Sequence, residues 1–459
     1  MSEIDDLLNA AGAPSQSTPA SPEKESKPAD AETPKAKTAE KLPKPDKYIL
    51  AMYFALCIIS VVELYSASSR EVASGNIMGP LGRHVLLLVG GIALCMFVSR
   101  IKVKYFIPLA PIFTIISVIL MVYVLINGNI INGARRCFIV FGIQVQPAEF
   151  LKISSVLIIA YIMARNQERG GVKTKGVVLC AAIVLLFGGL LFSQGLTNTI
   201  LLMGISMAMM LVGGIQWKKF GMLCVVYGLI AGGAFYMKMH ESESKYTAEQ
   251  EQIFTTGRDA QGNRATAERN VIWKNRLNRF LDDSIPKYKQ PITAVNRQEM
   301  YSYMAQANGG LFGVFPGNSR ETARLPLAFS DYIFSIVVED LGFVGAMFLL
   351  FIYLSLLARA GTIAWRCDRV YPALLVMGMA VMIAIQALFH MAIVTGFFPV
   401  SGQPLPMISK GGTSMLITSL AFGIMLSVSR YATQVSKSKK QPADLPQDMA
   451  AANPAQLTK

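Results

Sequence analysis

One aspartate, Asp331, stands where a long polar segment meets an apolar run of membrane length, and it is the leading catalytic candidate of this chain. It lies between Ser330 and Tyr332, and Glu339 and Asp340 follow about two helical turns later. A carboxylate at such a boundary has water on one side and apolar material on the other, and burial there raises the pKa of a carboxyl group toward the range of a general base. The alternative is a helix N-cap, in which Ser330 or Asp331 accepts backbone N–H bonds.

Other polar side chains lie in or beside apolar runs, where each is costly unless it is paired or faces a cavity. Glu149 and Lys152 are three residues apart and can pair on one helix face, either as a structural pin between helices or as part of a site. Gln194 and Asn198 flank a tight turn, for which turn chemistry is the simpler explanation. Glu339 is either interfacial or buried and paired with a cation. We treat all five as candidate substrate-binding residues.

The segment 396–414 is too rich in proline and glycine to form a helix, although it lies between two apolar runs. Non-helical backbone near membrane depth is tolerated where it is buried in protein or lines a wet cavity. Backbone N–H groups at the start of the following helix can bind an anion, and basic side chains add charge to such a site. The residues placed for that role are Ser409, Lys410, Gly411, Gly412 and, from another loop on the same predicted side, Arg136.

The elements that must position these residues are membrane helices. Hydrophobic residues make up 53% of the chain and charged residues 16%, which predicts an all-α polytopic membrane protein. A membrane-spanning helix needs roughly 20 mostly apolar residues. About ten such runs are predicted, at 48–65, 85–99, 106–126, 150–164, 176–192, 196–215, 220–237, 332–358, 371–395 and 415–432.

Lys and Arg concentrate in alternate loops, and this bias predicts the orientation of the helices. The basic loops, which include 100–104 and 165–175, are predicted to be cytoplasmic, and both termini lie with them because the number of spans is even. Asp331 is then extracytoplasmic. The predicted organisation is a disordered cytoplasmic tail at 1–46, helices 1–7 at 47–237, a large extracytoplasmic loop at 238–330, helices 8–10 at 331–432 and a cytoplasmic tail at 433–459.

The composition argues against several other classes of protein. The net charge of +14 comes mostly from the basic loops and tails, so nucleic-acid binding is not predicted. Of six cysteines only Cys137 lies on the predicted outer side, so no disulfide framework is expected. The three histidines have no zinc-like spacing, so we expect no protein-ligated transition metal.

Five segments, in order along the chain, carry a resemblance to a known family. They are Asn-Gly-Ala-Arg-Arg at 132–136, Gln-Pro-Ala-Glu-Phe-Leu-Lys at 146–152, Gly-Gly-Leu-Phe-Gly at 309–313, Leu-Pro with Ser-Asp-Tyr-Ile-Phe within 325–334, and Pro-Leu-Pro-Met-Ile-Ser with Gly-Gly within 404–412. Together they resemble the SEDS proteins (shape, elongation, division and sporulation). Gly-Asn-Ser at 317–319 and Val-Thr-Gly at 394–396 are more similar to the division members than to the elongation members.

The resemblance implies a peptidoglycan glycosyltransferase that polymerises lipid II at the outer face of the bacterial cytoplasmic (inner) membrane, with Asp331 at the family's essential aspartate. Asp331 would take the proton of a sugar hydroxyl that attacks with inversion, and undecaprenyl pyrophosphate would leave. Arg136, Lys152 and Lys410, or a divalent cation such as Mg²⁺ or Mn²⁺, would stabilise that pyrophosphate. The resemblance also implies a class B penicillin-binding transpeptidase and other divisome proteins as partners.

The chain departs from the family pattern beside Asp331. Leu327 and Phe329 stand where a glutamate and a histidine are common, and Lys410 replaces a tyrosine, so Lys410 could contact the pyrophosphate instead. Two other functions stay open. The intramembrane charges would also suit a lipid II flippase, and the apolar helices would suit a non-catalytic scaffold for a transpeptidase, in which Asp331 could be replaced without effect.

Overall fold

The computed structural model describes residues 43–67, 80–131, 134–140, 143–168, 170–243, 277–281, 289–293, 296–322, 324–325 and 329–438. These residues form a bundle of apolar helices. The helices are α1 (Lys47–Ala67), α2 (Pro80–Val98), α3 (Phe106–Asn127), α4 (Pro147–Arg165), α5 (Thr174–Phe192), α6 (Leu196–Val212), α7 (Trp217–Glu243), α8 (Arg297–Gly309), α9 (Ile333–Arg366), α10 (Val370–Val394) and α11 (Gly412–Ser438). The strands are β1 (Asn129–Ile131), β2 (Ala134–Val140), β3 (Ile143–Val145), β4 (Gln167–Glu168) and β5 (Gly171–Val172).

The predicted fold class is confirmed, because the described part is an all-α membrane bundle with only short strands. Eight of its helices are long and apolar enough to cross a membrane, and α6 is apolar but has only 17 residues. The seventh predicted run, 220–237, coincides with α7, whose exposed apolar side chains include Met222, Val225 and Leu229. Both α7 and α9 continue past the predicted runs, to Glu243 and Arg366, because a helix can extend beyond the bilayer once its polar side chains reach water.

The bundle has a buried centre and a lipid-like periphery. α4 and α11 each bury 83% of their most apolar window, whereas α3 buries 22%. Exposed Ile112, Ile115 and Ile119 cover the outer face of α3, which is the composition expected of a surface in contact with acyl chains. Polar groups on α4 and α11 are therefore inside protein.

The connections that surround Asp331 all lie at one end of the bundle, called here the Asp331 end. This end holds an antiparallel sheet of order β1-β2-β3 between α3 and α4, the α5–α6 turn, α8 and the segment 395–411 between α10 and α11. The β4–β5 pair and the connections α2–α3, α6–α7 and α9–α10 lie at the opposite end.

Helix α9 is broken at Gly342, whose φ of 69° and ψ of −171° interrupt the helical backbone. The segment after α8 enters this break. Phe343 N donates to Gly310 O at 3.0 Å and Val314 N donates to Glu339 O at 2.9 Å, so backbone groups freed by the break find partners. A Cβ atom at Gly342 would collide with the backbone of this segment, which explains the glycine. The first section of α9 is thus fastened to the long connection.

Helix α8 lies against the ends of α9 and α10. The Ser302 and Ser335 hydroxyls are 2.6 Å apart, and Gln306 Nε2 donates to the carbonyl of Val394 at 2.9 Å. This contact packs the second half of the long connection onto the bundle. Residues 244–276, in its first half, lie outside the described residues.

Candidate functional site

Asp331 lies at the start of α9, just outside the helix. The helix begins at Ile333, and the N-cap position falls on Tyr332, which makes no side-chain capping bond. The cap position is therefore not that of Ser330 or Asp331. Ser330 Oγ donates to Asp331 Oδ1 at 2.9 Å, and the Asp331 side chain is partly buried.

The backbone of Gly402 lies directly against the Asp331 carboxylate. A Cβ atom built at Gly402 would lie 2.9 Å from Asp331 Oδ2 and 3.3 Å from Cγ. Glycine is required here by space and not by conformation, because the φ of Gly402 is outside the left-handed region. The non-helical segment between α10 and α11 therefore forms one wall of the site, in agreement with the prediction that it is buried in protein or lines a cavity.

Ser409 and Lys410 fasten this wall to the residues before Asp331. Ser409 Oγ donates to the carbonyl of Ser330 at 2.8 Å and accepts a bond from Leu405 N at 2.7 Å. Lys410 N donates to the carbonyl of Phe329 at 2.9 Å. The Lys410 ammonium lies 4.4 Å from the centroid of the Phe329 ring, a cation–π contact. The apolar side chain at 329 thus helps to place a positive charge beside the site.

A second group of polar residues reaches the same wall from α6 and α10. His390 Nδ1 donates to the carbonyl of Gln403 at 2.6 Å, which places its proton on Nδ1. Gln403 Nε2 donates to Asn198 Oδ1 at 2.9 Å. Buried polar atoms without a hydrogen-bond partner among the described residues include both amide atoms of Gln194, His390 Nε2, Ser401 Oγ and Gln403 Oε1. Such groups cost about 1–3 kcal/mol each unless a polar partner is supplied.

Arg136 belongs to a strand that is tied to the start of α11. Gln146, which follows β3, donates its N–H to Thr413 Oγ1 at 3.1 Å. Gly411 and Gly412 lie immediately before Thr413, and α11 begins at Gly412. The structure therefore brings the sheet that carries Arg136 to the same end as Gly411, Gly412 and the Ser409 wall.

The predicted pair of Glu149 and Lys152 is present on α4. Lys152 Nζ lies 2.6 Å from Glu149 Oε1, and both side chains are buried. Gln386 Nε2 donates to Glu149 Oε2 at 3.5 Å, which links the pair to α10. Glu149 is in the first turn of α4, at the Asp331 end.

Glu339 was predicted to be either interfacial or buried and paired with a cation. It is buried, but its partners are neutral hydrogen-bond donors. Its carboxylate accepts bonds from the Ser319 hydroxyl, from Arg320 N at 3.0 Å, from Glu321 N at 3.4 Å and from Asn308 Nδ2 at 3.4 Å. The protein engages both of its oxygens, so this carboxylate holds the long connection in place.

Sequence reasoning assigned no role to Gly402 or Gln403. The available signal was a glycine between polar residues in a segment that cannot be helical, which is typical of close backbone approach. The described residues contain no group of three or more His, Cys, Asp or Glu side chains arranged to hold a metal ion.

Comparison with protein families gives one match that spans most of the chain. The family model FTSW_RODA_SPOVE, described as "Cell cycle protein", matches residues 47–263 and 267–434.

Curated relatives resemble the chain over nearly their whole length. A protein of Trichlorobacter lovleyi named "Probable peptidoglycan glycosyltransferase FtsW" is 28% identical over 396 residues, covering 84% of this chain and 93% of the relative. "Peptidoglycan glycosyltransferase MrdB" of Escherichia coli K12 is 25% identical over 398 residues, covering 86% of this chain and 95% of the relative.

Two solved structures share the fold. One, titled "Structural coordination of polymerization and crosslinking by a peptidoglycan synthase complex", contains a chain that is 24% identical with a TM-score of 0.63, covering 85% of this chain and 99% of that one. The other is a crystal structure of the Rod shape determining protein RodA of Thermus thermophilus, 22% identical with a TM-score of 0.57, covering 84% and 97%.

Proposed function

This chain belongs to the FtsW, RodA and SpoVE family of cell cycle proteins, and we propose that it is a peptidoglycan glycosyltransferase that polymerises lipid II at the Asp331 end of its bundle. Relatives that match over most of their length are named for this activity. The proposal for the site rests on the surroundings of Asp331. Its carboxylate is partly buried and lies against the backbone of Gly402, in a wall that also carries the Lys410 ammonium group.

Asp331 is the general base of the proposed reaction. The acceptor sugar hydroxyl gives its proton to the carboxylate as its oxygen bonds to the anomeric carbon of the donor. The bond from that carbon to the pyrophosphate oxygen breaks, and undecaprenyl pyrophosphate leaves with the electron pair. A single displacement inverts the anomeric centre. Ser330 Oγ, which donates to Oδ1, fixes the orientation of the carboxylate.

The leaving pyrophosphate is stabilised by positive charge and backbone N–H groups. Lys410 supplies an ammonium group held by Phe329, and the start of α11 at Gly411 and Gly412 supplies the positive end of a helix dipole. Arg136 joins them through the sheet tied to Thr413. Charge stabilisation at the leaving group is the largest contribution expected in such a transfer.

The sugar and peptide parts of lipid II contact polar residues of the α5–α6 turn, the start of α6 and the segment 395–411. Gln194, Asn198, Ser401 and Gln403 offer amide and hydroxyl groups beside the Gly402 wall, and unpartnered atoms among them gain hydrogen bonds from substrate hydroxyls. Glu149 and Lys152 take part by fixing α4 against α10, behind this surface.

The protein is a multi-pass protein of the inner membrane. We infer that both termini are cytoplasmic and that the Asp331 end faces outward, because the loops of the opposite end carry the excess of Lys and Arg. Those basic residues include Arg100, Lys102, Lys104, Arg165, Lys173, Lys175, Lys218, Lys219, Arg366 and Arg369.

A transpeptidase is the expected partner. One solved structure with this fold is titled as a synthase complex that coordinates polymerization and crosslinking. A class B penicillin-binding transpeptidase, together with other divisome proteins, is therefore proposed to act with this chain during division, and relatives named FtsW support the division role.

The test is to incubate the purified protein, alone and with a class B transpeptidase, with labelled lipid II and to separate the products by length. Glycan strands are expected. If no strand forms in either case while labelled lipid II moves between the leaflets of proteoliposomes, the protein is a transporter and the proposal is wrong. If neither strand formation nor lipid II movement occurs, and the transpeptidase is more active in the complex than by itself, the protein is a scaffold instead.

A further inference from the structure

A cavity of about 340 Å³ opens at the end of the bundle opposite to Asp331. It is enclosed by the connection from α2 to α3, the start of α10, the last turns of α11 and, before α1, Pro43. Its apolar lining includes Ile101, Ile107 and Val435. The cavity has no residue in common with the proposed glycosyltransferase site.

The polar lining of this cavity is strongly cationic. Its basic residues are Arg100, Lys102, Lys104, Arg369 and Arg430. Asp368 is the acidic residue of the lining, and its Oδ1 already accepts a hydrogen bond from the Tyr431 hydroxyl at 2.5 Å. Five basic residues against one acidic residue leave the described lining with an excess of positive charge.

Arg430 lines this cavity and has a second cationic neighbour there. Its Nε atom is buried and has no hydrogen-bond partner among the described residues. Arg100 lies close enough to repel it electrostatically. Two guanidinium groups that repel each other form an environment that a bound oxyanion stabilises through charge-assisted hydrogen bonds.

One uncapped helix start adds to the positive potential. α10 begins at the cavity, and its N-cap residue, Arg369, makes no side-chain capping bond. The start of α3 differs, because a 3-10 turn, Val103–Tyr105, precedes it and Phe106 N–H donates to the carbonyl of Val103. The Tyr371 hydroxyl donates to the carbonyl of Phe106 at 2.9 Å and holds the two starts together. Uncapped helix N-termini present N–H groups and the positive end of the helix dipole, both of which favour an anion.

We propose that this cavity binds a phosphate oxyanion, and that the phosphate is the phosphodiester of an acidic lipid headgroup. The cationic rim and the uncapped start of α10 hold the phosphate, and the apolar lining accommodates the carbon skeleton next to it. With the orientation proposed above, this end faces the leaflet in which anionic lipids attract basic protein segments. A free phosphate ester has the same oxyanion chemistry and is distinguished by experiment.

The experiment uses the full-length protein in a neutral detergent and counts bound lipid by native mass spectrometry during titration with phosphatidylglycerol. Phosphatidylcholine, titrated in parallel, measures lipid binding without a net negative charge. Glycerol 3-phosphate and inorganic phosphate are then added as soluble competitors. The variants are Arg430→Gln, Arg100→Gln and a control, Arg366→Gln, which removes the same charge from an exposed residue at the same end but outside the cavity lining.

The expected result is one phosphatidylglycerol retained per wild-type chain in preference to phosphatidylcholine, with an apparent Kd raised about tenfold or more by Arg430→Gln and unchanged by Arg366→Gln. Arg100→Gln, on an exposed loop, gives a second measurement if Arg430→Gln does not fold. If glycerol 3-phosphate or inorganic phosphate displaces phosphatidylglycerol with an affinity equal to that of the lipid, the ligand of this site is a soluble phosphate and not a lipid headgroup. If both cavity variants bind phosphatidylglycerol as the wild type does, or lose no more of it than Arg366→Gln, the site does not exist.

Discussion

Gly402→Ala should slow the reaction without unfolding the protein. The new Cβ atom would stand 2.9 Å from Asp331 Oδ2, about 0.5 Å short of ordinary van der Waals contact, so the carboxylate must move by about that much. Because a misplacement of roughly 1 Å near reacting atoms costs about a hundredfold in rate, half that shift should cost about tenfold. The backbone of residue 402 accepts an alanine, since its φ is outside the left-handed region.

The assay is the initial rate of glycan polymerisation from labelled lipid II, measured beside lipid II binding and the melting temperature. The rate should fall about tenfold or more while binding changes by less than about threefold. Gly204→Ala on α6 is the matched control, because its Cβ atom would meet open space. A Gly402→Ala protein that is folded and polymerises at the wild-type rate would refute the idea that the Gly402 wall positions Asp331.

Three further predictions concern the framework of the site. Lys152→Met leaves Glu149 buried without its ion-pair partner and should lower the free energy of unfolding by about 3–5 kcal/mol. Much of this loss should be recovered in the double variant with Glu149→Gln. A Lys152→Met protein as stable as the wild type in a denaturation series would contradict this prediction. In Gly342→Ala the alanine must adopt a φ of 69° in a crowded break of α9. This should lower the free energy of unfolding by about 2 kcal/mol or more and lower the melting temperature. An unchanged melting temperature would mean that the break does not require glycine. At the opposite end, burial acts to raise the pKa of Asp46, but hydrogen bonds from Arg359 and from backbone N–H groups outweigh it and hold the pKa below its ordinary value. The stability that ionised Asp46 contributes is therefore present above about pH 4 and is lost as the pH falls further. The acid-induced drop in melting temperature should be smaller in Asp46→Asn than in the wild type. An identical drop would show that Asp46 is not the titrating group.

Structural features that depend on short-range patterns could be predicted from the sequence. Apolar runs of membrane length mark the helices because the bilayer sets the length of a spanning segment. The spacing of Glu149 and Lys152 predicts their contact, since residues three apart lie on one helix face. The boundary position of Asp331 also follows from the end of a polar segment.

Contacts between distant segments could not be predicted in this way. Nothing in the local sequence places Gly402 against Asp331, or joins Gln403 to Asn198 across more than two hundred residues. The break at Gly342 depends on a partner segment that enters it, so a glycine within an apolar run gives only a weak signal by itself. Glu339 shows the same limit, because its neutral donors come from a connection whose path the sequence does not reveal.

Polymerisation of lipid II by Asp331→Asn, purified in complex with its transpeptidase, tests whether Asp331 is the general base. Asparagine keeps the size and a hydrogen bond to Ser330 but cannot accept the hydroxyl proton, so lipid II binding should stay within about threefold of the wild type while glycan strands are absent. An Asp331→Asn complex that makes strands at the wild-type rate would show that Asp331 is not the base.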